Sequence, residues 1–457
     1  MPMNFEKMAK LIQEYSEKYR AKFIDVRIEE VDFVSINIEN GKVEELEANQ
    51  DFGIGVRVLI NGWGFSSTTS VENFEKTLKI ATKMAKISKS ETSVYVGDPI
   101  SDRVEIKMRN HLRDVDLEDK LQFFLRVNKM LETKKIKTRK TFYHDSIVKK
   151  TYLNSEGSFV EMVTPRIMIG ISVVARANEL MQNYWKYFGG TQGWELAEKI
   201  DFQYWSRVVV RKVTELLEAK SPPSGKLPVI MDPELTGVFI HEALGHAAEA
   251  DSVRSGESIL TGMIGKKIGV EELTVVDDPT LPGKFGSYIY DDEGVRGKKV
   301  EIIKNGVLVN YLTDRETSAV LGLEPNGHGR AQNSSYVPLV RMSNTYVAPS
   351  DWEFDEMLEE IKFGVYMIGD KGGQVDITNG SFMFGAKEGY IVRNGEIKEM
   401  IRDVALSGDI LQILKSIRAI GNDLKIEFPG FCGKGQWVPV DDGGPHVLTE
   451  AIVGGLG

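Results

Sequence analysis

A strand that runs directly into a helix is predicted by residues 229–251, VIMDPELTGVFIHEALGHAAEAD. The apolar run at 229–231 is typical of a short buried strand. Asp232 can then cap the helix, and Pro233 occupies its first position, where a missing N–H leaves no helical hydrogen bond unmade. The helix carries His241 and His246 near its end, so this stretch predicts chemistry as well as local structure.

Two histidines and a glutamate beside the first, here His241, Glu242 and His246, are the ingredients of a zinc hydrolase. Neutral imidazole nitrogens suit Zn²⁺, and a glutamate that does not bind the metal can take the proton from zinc-bound water. In the common motif the histidines are four residues apart, about 40° around an ideal helix. Here they are five residues apart, an offset of about 140°, so a regular helix would turn the rings away from each other.

One extra residue in a single helical turn would remove this obstacle. Such a π-bulge lets position i+5 take the place of i+4. Gly245 lies directly before His246, and glycine resists such a distortion least. We therefore predict a bulged helix that presents both imidazoles to one zinc ion. The alternative is two unrelated helix histidines, one buried and one solvated.

A catalytic zinc site usually has three protein ligands and one open position. Cys432, the only cysteine, is a candidate for the third ligand; it lies in the glycine-rich stretch 429–436, PGFCGKGQ, which predicts a loop. The alternative for Cys432 is a small buried apolar residue. Glu249 is the rival third ligand, although a group that orients an imidazole is the role we expect for it. Asp251 could serve in the same way or cap a turn.

Turn signals along the rest of the chain predict antiparallel hairpins. The dipeptide Asn-Gly occurs six times, and at 40–41, 305–306 and 394–395 it separates β-branched runs. Helical periods predict helices at 74–85, at 117–131 with Asp116 as N-cap, at 194–219 as one or two helices, and at 406–420. The predicted fold class is α+β, rich in antiparallel sheet, with an N-terminal α/β half and a C-terminal half that carries the histidines.

Proline and glycine mark the predicted domain boundaries. The segment 220–228, KSPPSGKLP, predicts a linker, because it can neither continue a helix nor fill a central strand. A weaker break follows at 97–102. We therefore predict a first α+β subdomain at 1–97, a middle subdomain at 98–220 and the zinc-binding domain at 221–457.

Composition excludes several classes of function. The 57 Lys and Arg residues against 67 Asp and Glu give a formal net charge of -10, which argues against a nucleic-acid partner. The short basic run at 134–140 and the pairs Asp277-Asp278, Asp291-Asp292 and Asp441-Asp442 are expected on solvated strands and turns. The N-terminus lacks the apolar run of a signal peptide, and no apolar stretch is long enough to span a membrane, so a cytoplasmic location is predicted.

The chain resembles the TldD/PmbA family of metallopeptidases, whose members were historically labelled modulators of DNA gyrase. The resemblance rests on the order of several short motifs across the C-terminal half, and more loosely on the early stretch 38–43, IENGKV. The motifs are HEALGHAAEAD at 241–251, TVVDD at 274–278, DDEG at 291–294, GQVDIT at 373–378, GNDL at 421–424 and CGKGQ at 432–436.

The resemblance implies a zinc peptidase of the catalytic TldD type, because the paralogous TldE/PmbA type lacks the two-histidine motif. It implies that His241, His246 and Cys432 bind zinc and that Glu242 is the catalytic base. It further implies a homodimer, or a heterodimer with a TldE/PmbA-type paralogue, that encloses the active site and hydrolyses unfolded or short peptides. Two alternatives remain: another zinc amide hydrolase, such as a deformylase, and a non-enzymatic regulatory or binding subunit.

Overall fold

The computed structural model describes residues 3–455. Its N-terminal part is built on one large sheet flanked by helices. The helices are α1 (Phe5–Tyr19), α2 (Phe74–Ile87), α3 (Leu117–Met130), α4 (Glu195–Lys199) and α5 (Phe202–Leu216). The strands are β1 (Phe23–Glu39), β2 (Lys42–Leu59), β3 (Trp63–Thr68), β4 (Ser101–Glu105), β5 (Ile136–Asn154), β6 (Phe159–Ala177) and β7 (Leu180–Gly190).

The N-terminal sheet has the order β3-β2-β1-β5-β6-β4, and β7 pairs with β6. All of its pairs are antiparallel except β4–β6. Helix α2 buries Leu78 and Ala81 in a core with Val56, and α3 and α5 bury Phe124 and Val209 in a second core further along the sheet. Their apolar residues recur at helical spacing, which gives each helix one face for the core.

The C-terminal part contains short helices and many strands. The helices are α6 (Pro233–Ile240), α7 (Ala250–Ser255), α8 (Arg315–Leu321), α9 (Phe354–Glu359) and α10 (Ile410–Ser416). The strands are β8 (Gly225–Met231), β9 (Val275–Asp277), β10 (Val300–Lys304), β11 (Val307–Leu308), β12 (Gly329–Arg330), β13 (Leu339–Val340), β14 (Asn344–Val347), β15 (Phe363–Asp376), β16 (Ser381–Arg393), β17 (Glu396–Ile401), β18 (Val404–Asp409), β19 (Ala419–Ile420), β20 (Lys425–Gly433), β21 (Trp437–Gly444) and β22 (Val447–Gly455).

Two sheets of the C-terminal part enclose α6. One contains the closed ring β15-β8-β22-β18-β16, in which β16 pairs again with β15. The other has the order β11-β10-β9-β14-β21-β20. Helix α6 packs against β15 of the ring and against β14 and β21 of the second sheet. A helix that is covered on both sides must be apolar nearly all round, which explains the sequence Leu-Thr-Gly-Val-Phe-Ile before His241.

The predicted fold class is confirmed: the molecule is α+β, and most of its strand pairs are antiparallel. The three Asn-Gly hairpins are confirmed as well. Both turn residues have positive φ at Asn40-Gly41 (51° and 79°), Asn305-Gly306 (49° and 77°) and Asn394-Gly395 (48° and 77°). Positive φ at both positions is the signature of the type I′ turn that Asn-Gly favours.

The predicted helix at 406–420 is wrong over most of its length. Residues 404–409 form β18, which lies between β16 and β22 and uses its backbone N–H groups in both ladders. Only Ile410–Ser416 is helical, and the Asp409 side chain caps it by accepting from the Gln412 N–H. Residues 405–407 pair on both sides, and this pairing outweighs a helical spacing of apolar residues that a buried strand also allows.

The predicted linker also differs from the structure at its C-terminal end. Strand β8 starts at Gly225 and includes Pro228, which lies opposite Glu450 of β22. Pairing with β15 begins only at Val229, so at Pro228 the strand has one neighbour and a missing N–H is tolerated.

None of the helices within residues 3–455 is long and apolar enough to cross a membrane.

Candidate metal centre

The approach to the site is a short, rigid helix. The Asp232 side chain accepts from the Leu235 N–H at 2.9 Å, and Pro233 follows in the first turn, as predicted. Leu235 and Phe239 are buried, and the Phe239 ring packs edge-on against Phe382 of β16. The helix is thereby fixed on both sides before the chain reaches the histidines.

The predicted bulge is confirmed. Residues 241–245 form one π-helical turn, in which the His246 N–H donates to the carbonyl of His241. Gly245 ends that turn against Met342: a Cβ on Gly245 would lie 1.9 Å from the Met342 sulfur. The extra residue brings the two imidazoles to the same side of the turn, with ring centres 5.3 Å apart and planes at 85° to each other.

Three potential ligand atoms meet at this turn. One ligand atom each of His241, His246 and Cys432 lies within 4.8 Å of the other two, and all three side chains are largely buried. The Cys432 sulfur lies 3.4 Å from Nε2 of His246. The structure therefore brings the three sequence-predicted ligands together, although the cysteine is 186 residues beyond the second histidine.

Each imidazole is held from behind by a carboxylate. Nδ1 of His241 lies 2.8 Å from Oδ1 of Asp442, and Nδ1 of His246 lies 3.1 Å from Oε2 of Glu249. An Nδ1–H that donates to a carboxylate leaves Nε2 as the nitrogen with a free lone pair, which is the arrangement usual for metal-binding histidines. Glu249 thus lies behind an imidazole rather than among the three converging atoms.

Asp442 was missed by the sequence analysis, which placed the three Asp pairs on solvated turns. That prediction is wrong for all six residues, which are buried. Asp277 shows the reason: its carboxylate accepts from His328 and Thr345 inside the protein, so hydrogen bonds replace the lost water. The position of Asp442 on the strand paired with Cys432 could have suggested its role, had the β20–β21 hairpin been recognised.

Cys432 lies in a strand, which corrects the predicted loop. It pairs with Val438 across the β20–β21 hairpin. Of the glycines that suggested a loop, Gly430 and Gly433 lie in β20, and only Gly435, with a φ of 68°, is in the turn. Because side chains alternate along a strand, Cys432 points to the histidines while Phe431 points away.

Two cations fasten this hairpin to the rest of the site. Lys434, in the turn, lies 2.9 Å from Glu249 and 2.7 Å from Asp251. Arg341 is fully buried and donates to the carbonyls of Cys432 at 2.6 Å and Gln436 at 2.9 Å. Asp251, expected to orient an imidazole or cap a turn, therefore contacts Lys434. Lys434 stands within the quoted CGKGQ motif, yet the sequence did not show its partners.

The charges around the ligand atoms favour a thiolate. Burial alone would raise the pKa of Cys432, but His241 and His246 outweigh it and lower the pKa to about 5. Burial likewise works against ionised Glu249, yet His246 and Lys434 lower its pKa to about 2. In the protein without metal, the raised pKa values of His241 and His246 favour protonated rings, whose positive charge compensates the thiolate. Thiolate is also the form of cysteine that binds metals.

Glu242 stands at the edge of the cluster and is accessible from a cavity. Its Oε2 lies 3.8 Å from Nε2 of His246, and its side chain is 36% exposed. The cavity has a volume of about 240 Å³ and is lined in part by His241, Glu242, Cys432 and the β7 residues Trp185 and Tyr187. A carboxylate that is both solvent-accessible and next to the three ligand atoms can exchange a proton with a water or substrate bound there.

The donor set fits zinc. Two nitrogens and one sulfur are ligands that Zn²⁺ prefers, and tetrahedral bonds of usual length place neighbouring ligand atoms roughly 3.3–3.7 Å apart. The 3.4 Å between the Cys432 sulfur and the His246 nitrogen is within that range. Three protein ligands beside an open cavity also match a catalytic site rather than a closed structural one.

Comparisons with known proteins identify the class to which this fold and site belong. Three sequence profiles match: PmbA/TldA metallopeptidase domain 1 over residues 24–85, the central domain over 110–220 and the C-terminal domain over 224–455. The chain is a member of the PmbA/TldD metallopeptidase family.

Individual relatives agree with this assignment. The chain is 42% identical over 439 residues to a protein of Methanothermobacter thermautotrophicus named metalloprotease, covering 95% of this chain and 96% of the relative. It is 34% identical over 451 residues to the zinc metalloprotease TldD homolog of Saccharolobus solfataricus, covering 96% and 98%.

Solved structures share the fold. A protein of Thermotoga maritima described as a modulator of a DNA gyrase has a TM-score of 0.81 at 23% identity, covering 98% of this chain and all of its own. TldE from Thermococcus kodakarensis has a TM-score of 0.80 at 19% identity, again covering 98% and 100%.

Proposed function

We propose that this family member is a zinc-dependent peptidase that hydrolyses unfolded or short peptides. The observation that supports the proposal is the convergence of His241, His246 and Cys432, with Glu242 beside them at the edge of a cavity. The proposal agrees with the name of the Saccharolobus solfataricus relative, a zinc metalloprotease.

The ligands would be Nε2 of each histidine and the sulfur of Cys432. When bound, zinc supplies Lewis acidity, which polarises a peptide carbonyl and lowers the pKa of a coordinated water. Asp442 and Glu249 hold the two imidazoles in the required orientation and tautomer.

Glu242 is the general base in this proposal. Its carboxylate accepts a proton from the attacking water at Oε2 and returns that proton to the leaving nitrogen. Glu234 also lines the cavity, but its carboxylate forms an ion pair with Lys387 and is less available for proton transfer. Glu242 is therefore the glutamate in the cavity that is best placed for proton transfer.

An extended peptide suits the shape of the site. Strand β20 is the last strand of its sheet, and its residues 428–432 line the cavity. An edge strand offers unpaired backbone N–H and C=O groups, which can pair with an extended peptide whatever its side chains are. Such binding favours chains without fixed structure, because a folded substrate has its own backbone groups already paired.

The test combines metal analysis with a variant. Zinc per chain is measured in wild-type protein and in Glu242→Gln, and hydrolysis of a mixed peptide library is followed by mass spectrometry. We expect one zinc per chain in both proteins and at least a hundredfold loss of turnover in the variant, the usual range for a general base. Full activity in Glu242→Gln would exclude the proposed base.

The same assay separates the alternatives. A formylated peptide that loses only its formyl group would identify a deformylase. Absence of hydrolysis in zinc-loaded protein, alone and with a TldE/PmbA-type paralogue, would favour a regulatory or binding subunit. We propose a dimer as the working form, and the molecular mass in solution during the assay tests it.

A further inference from the structure

A second, larger cavity lies between the N-terminal sheet and the Cys432 hairpin. Its volume is about 610 Å³, within the range typical of ligand sites. Strands β1, β2, β5 and β6 form one wall, and Phe431, Trp437 and Pro439 of the hairpin form part of the other. The proposed peptidase chemistry makes no use of it so far.

Two guanidinium groups line this cavity without a carboxylate partner. Arg166 donates to the carbonyls of Phe285 at 3.2 Å and Ser287 at 3.0 Å. Arg330 donates to the carbonyls of Met342 and Pro439. Within residues 3–455 neither forms an ion pair. Burial, with a smaller contribution from the charge of Arg330, lowers the pKa of Arg166 to about 9.

The carboxylates that share the cavity are already occupied. Both oxygens of Glu29 are used, one by Lys150 at 3.1 Å and one by the Ser334 N–H. Those of Asp292 accept from Lys150 and from the Ala331 N–H. Asp291 accepts from three backbone N–H groups, those of Glu293, Val295 and Gly329.

The remaining acid, Asp51, is exposed at the rim of the cavity. Carbonyl oxygens orient the two guanidinium groups but do not neutralise them. Arg166 and Arg330 therefore keep unused N–H donors beside the cavity, and no carboxylate of residues 3–455 lies within ion-pair distance of either guanidinium.

Several aromatic side chains also line the cavity, and the cavity adjoins the metal centre. Phe285, whose backbone carbonyl accepts from Arg166, packs its ring edge-on against the Phe431 ring, with ring centres 5.4 Å apart. Phe431 lines both cavities, and it is the residue before Cys432. Phe431 is 47% exposed and Trp437 is 59% exposed, so both can cover an apolar ligand.

We propose that this cavity binds the carboxylate end of the peptide substrate. The C-terminal carboxylate pairs with Arg166 and Arg330, and the neighbouring apolar side chains of the peptide pack on Phe431, Trp437 and Phe285. The inference rests on the proposed peptidase function, and it adds a preference: short peptides with a free C-terminus are bound better than internal segments of a long chain.

A binding experiment on metal-free protein tests the site apart from the chemistry. The probes are N-acetylated Ala-Ala-Phe as free acid, the same peptide as C-terminal amide, and N-acetylated Ala-Glu-Phe amide, each titrated by calorimetry. We expect the free acid to bind roughly tenfold to a hundredfold tighter than the first amide, the usual range for a charged hydrogen-bonded pair. Tight binding of the Glu-containing amide would assign the site to an acidic side chain instead of the C-terminus.

A variant and its control connect the preference to Arg166. Arg166→Gln is expected to bring the ratio of affinities for acid and amide close to one, whereas Arg166→Lys keeps part of it. Arg176→Gln is the matched control, because Arg176 is on the same strand but half exposed and outside the cavity. In zinc-loaded protein, Arg166→Gln should raise KM for free-acid peptides with little change in kcat or in KM for amides.

The outcomes separate this inference from the proposed function. If the acid is preferred but no peptide is hydrolysed, the site holds and the peptidase proposal fails. If peptides are hydrolysed but wild-type protein binds acid and amide equally, the carboxylate site is refuted. Equal weakening of acid and amide by Arg166→Gln would also refute it, because that result indicates a purely structural role.

Discussion

The backbone N–H of His246 donates to the carbonyl of His241, five residues earlier in the chain. This single hydrogen bond distinguishes the site from that of zinc enzymes with histidines four residues apart. It adds one residue to the turn, so two rings that a regular helix would separate by about 140° share one side. The geometry depends on Gly245, which has no side chain to place against Met342.

Gly245→Ala is expected to destabilise the protein by about 1–3 kcal/mol and to weaken zinc binding. The new methyl group would lie 1.9 Å from the Met342 sulfur, so either the buried Met342 side chain or the turn must shift to accommodate it. Urea unfolding and competition with a zinc chelator measure the two effects. The added mutation Met342→Ala should restore part of the zinc affinity.

Gly454→Ala is the control for that experiment, because nothing lies within 4 Å of a Cβ at Gly454. If Gly245→Ala were as stable as this control and bound zinc normally, the tight contact would have no importance for the site.

Asp442→Asn is expected to lower zinc affinity about tenfold to a hundredfold with little effect on the fold. A neutral amide accepts the hydrogen bond from Nδ1 of His241 less strongly than the carboxylate does. Loss of such a partner of a ligating histidine commonly lowers metal affinity by this factor. Asp423→Asn is a suitable control, since Asp423 holds His446 in the same way at 2.6 Å, outside the metal cluster. Equal zinc affinity in both variants would show that Asp442 does not support zinc binding by His241.

Lys434→Met is expected to cost about 2 kcal/mol of stability and to weaken zinc binding as well. Glu249 is only 1% exposed and would keep its negative charge with one cation fewer, while the partial exposure of Lys434 limits the loss. Lys398→Met, which breaks an exposed pair with Glu396, should change little. Thermal unfolding with and without zinc would measure the difference between the two variants.

Acid should remove most of the stabilisation that Asp277 contributes. Burial works against its ionised form, but hydrogen bonds from His328 and Ser343 lower its pKa below the usual value. A lowered pKa in the folded state means that the contribution is complete above about pH 5 and is lost as the pH falls through the ordinary range near 3.9 and below it.

Asp277→Asn should therefore be about 3 kcal/mol less stable than wild type at pH 7, with a gap that narrows towards pH 3. Urea unfolding at several pH values measures this difference in the free energy of unfolding. The control variant Asp98→Asn, at an exposed position, should be as stable as wild type at each pH. A gap that stays constant with pH would contradict the assigned pKa direction.

Local signals in the sequence were sufficient for local structure. Asn-Gly turns, the Asp232 cap and the bulge at Gly245 depend on residues a few positions apart, so the chain alone predicts them. The wrong helix at 406–420 has the opposite cause. Its residues become a strand because β16 and β22 pair with them, and partners that distant leave no mark on local periodicity.

The same limit applies to the site. The sequence offered His241, Glu242 and His246 as a candidate motif and left Cys432 and Glu249 as rivals for the third ligand; the family resemblance implied Cys432 and the role of Glu242. Asp442, Lys434 and Arg341 could not be found in this way, because their roles exist only once the hairpin has packed against the bulged turn. The buried aspartates were misplaced for a related reason: a sequence does not show which donors will surround a carboxylate.

One hairpin, residues 425–444, supplies the thiol of Cys432, the carboxylate behind His241 and, through Lys434, the support of Glu249. A slip of one residue in its register would turn all of these side chains to the wrong face at once. The three ligand atoms and their supports can therefore meet only when the hairpin is paired in this register. A growing or partly folded chain therefore cannot hold the three ligand atoms together until this hairpin has packed against the bulged turn.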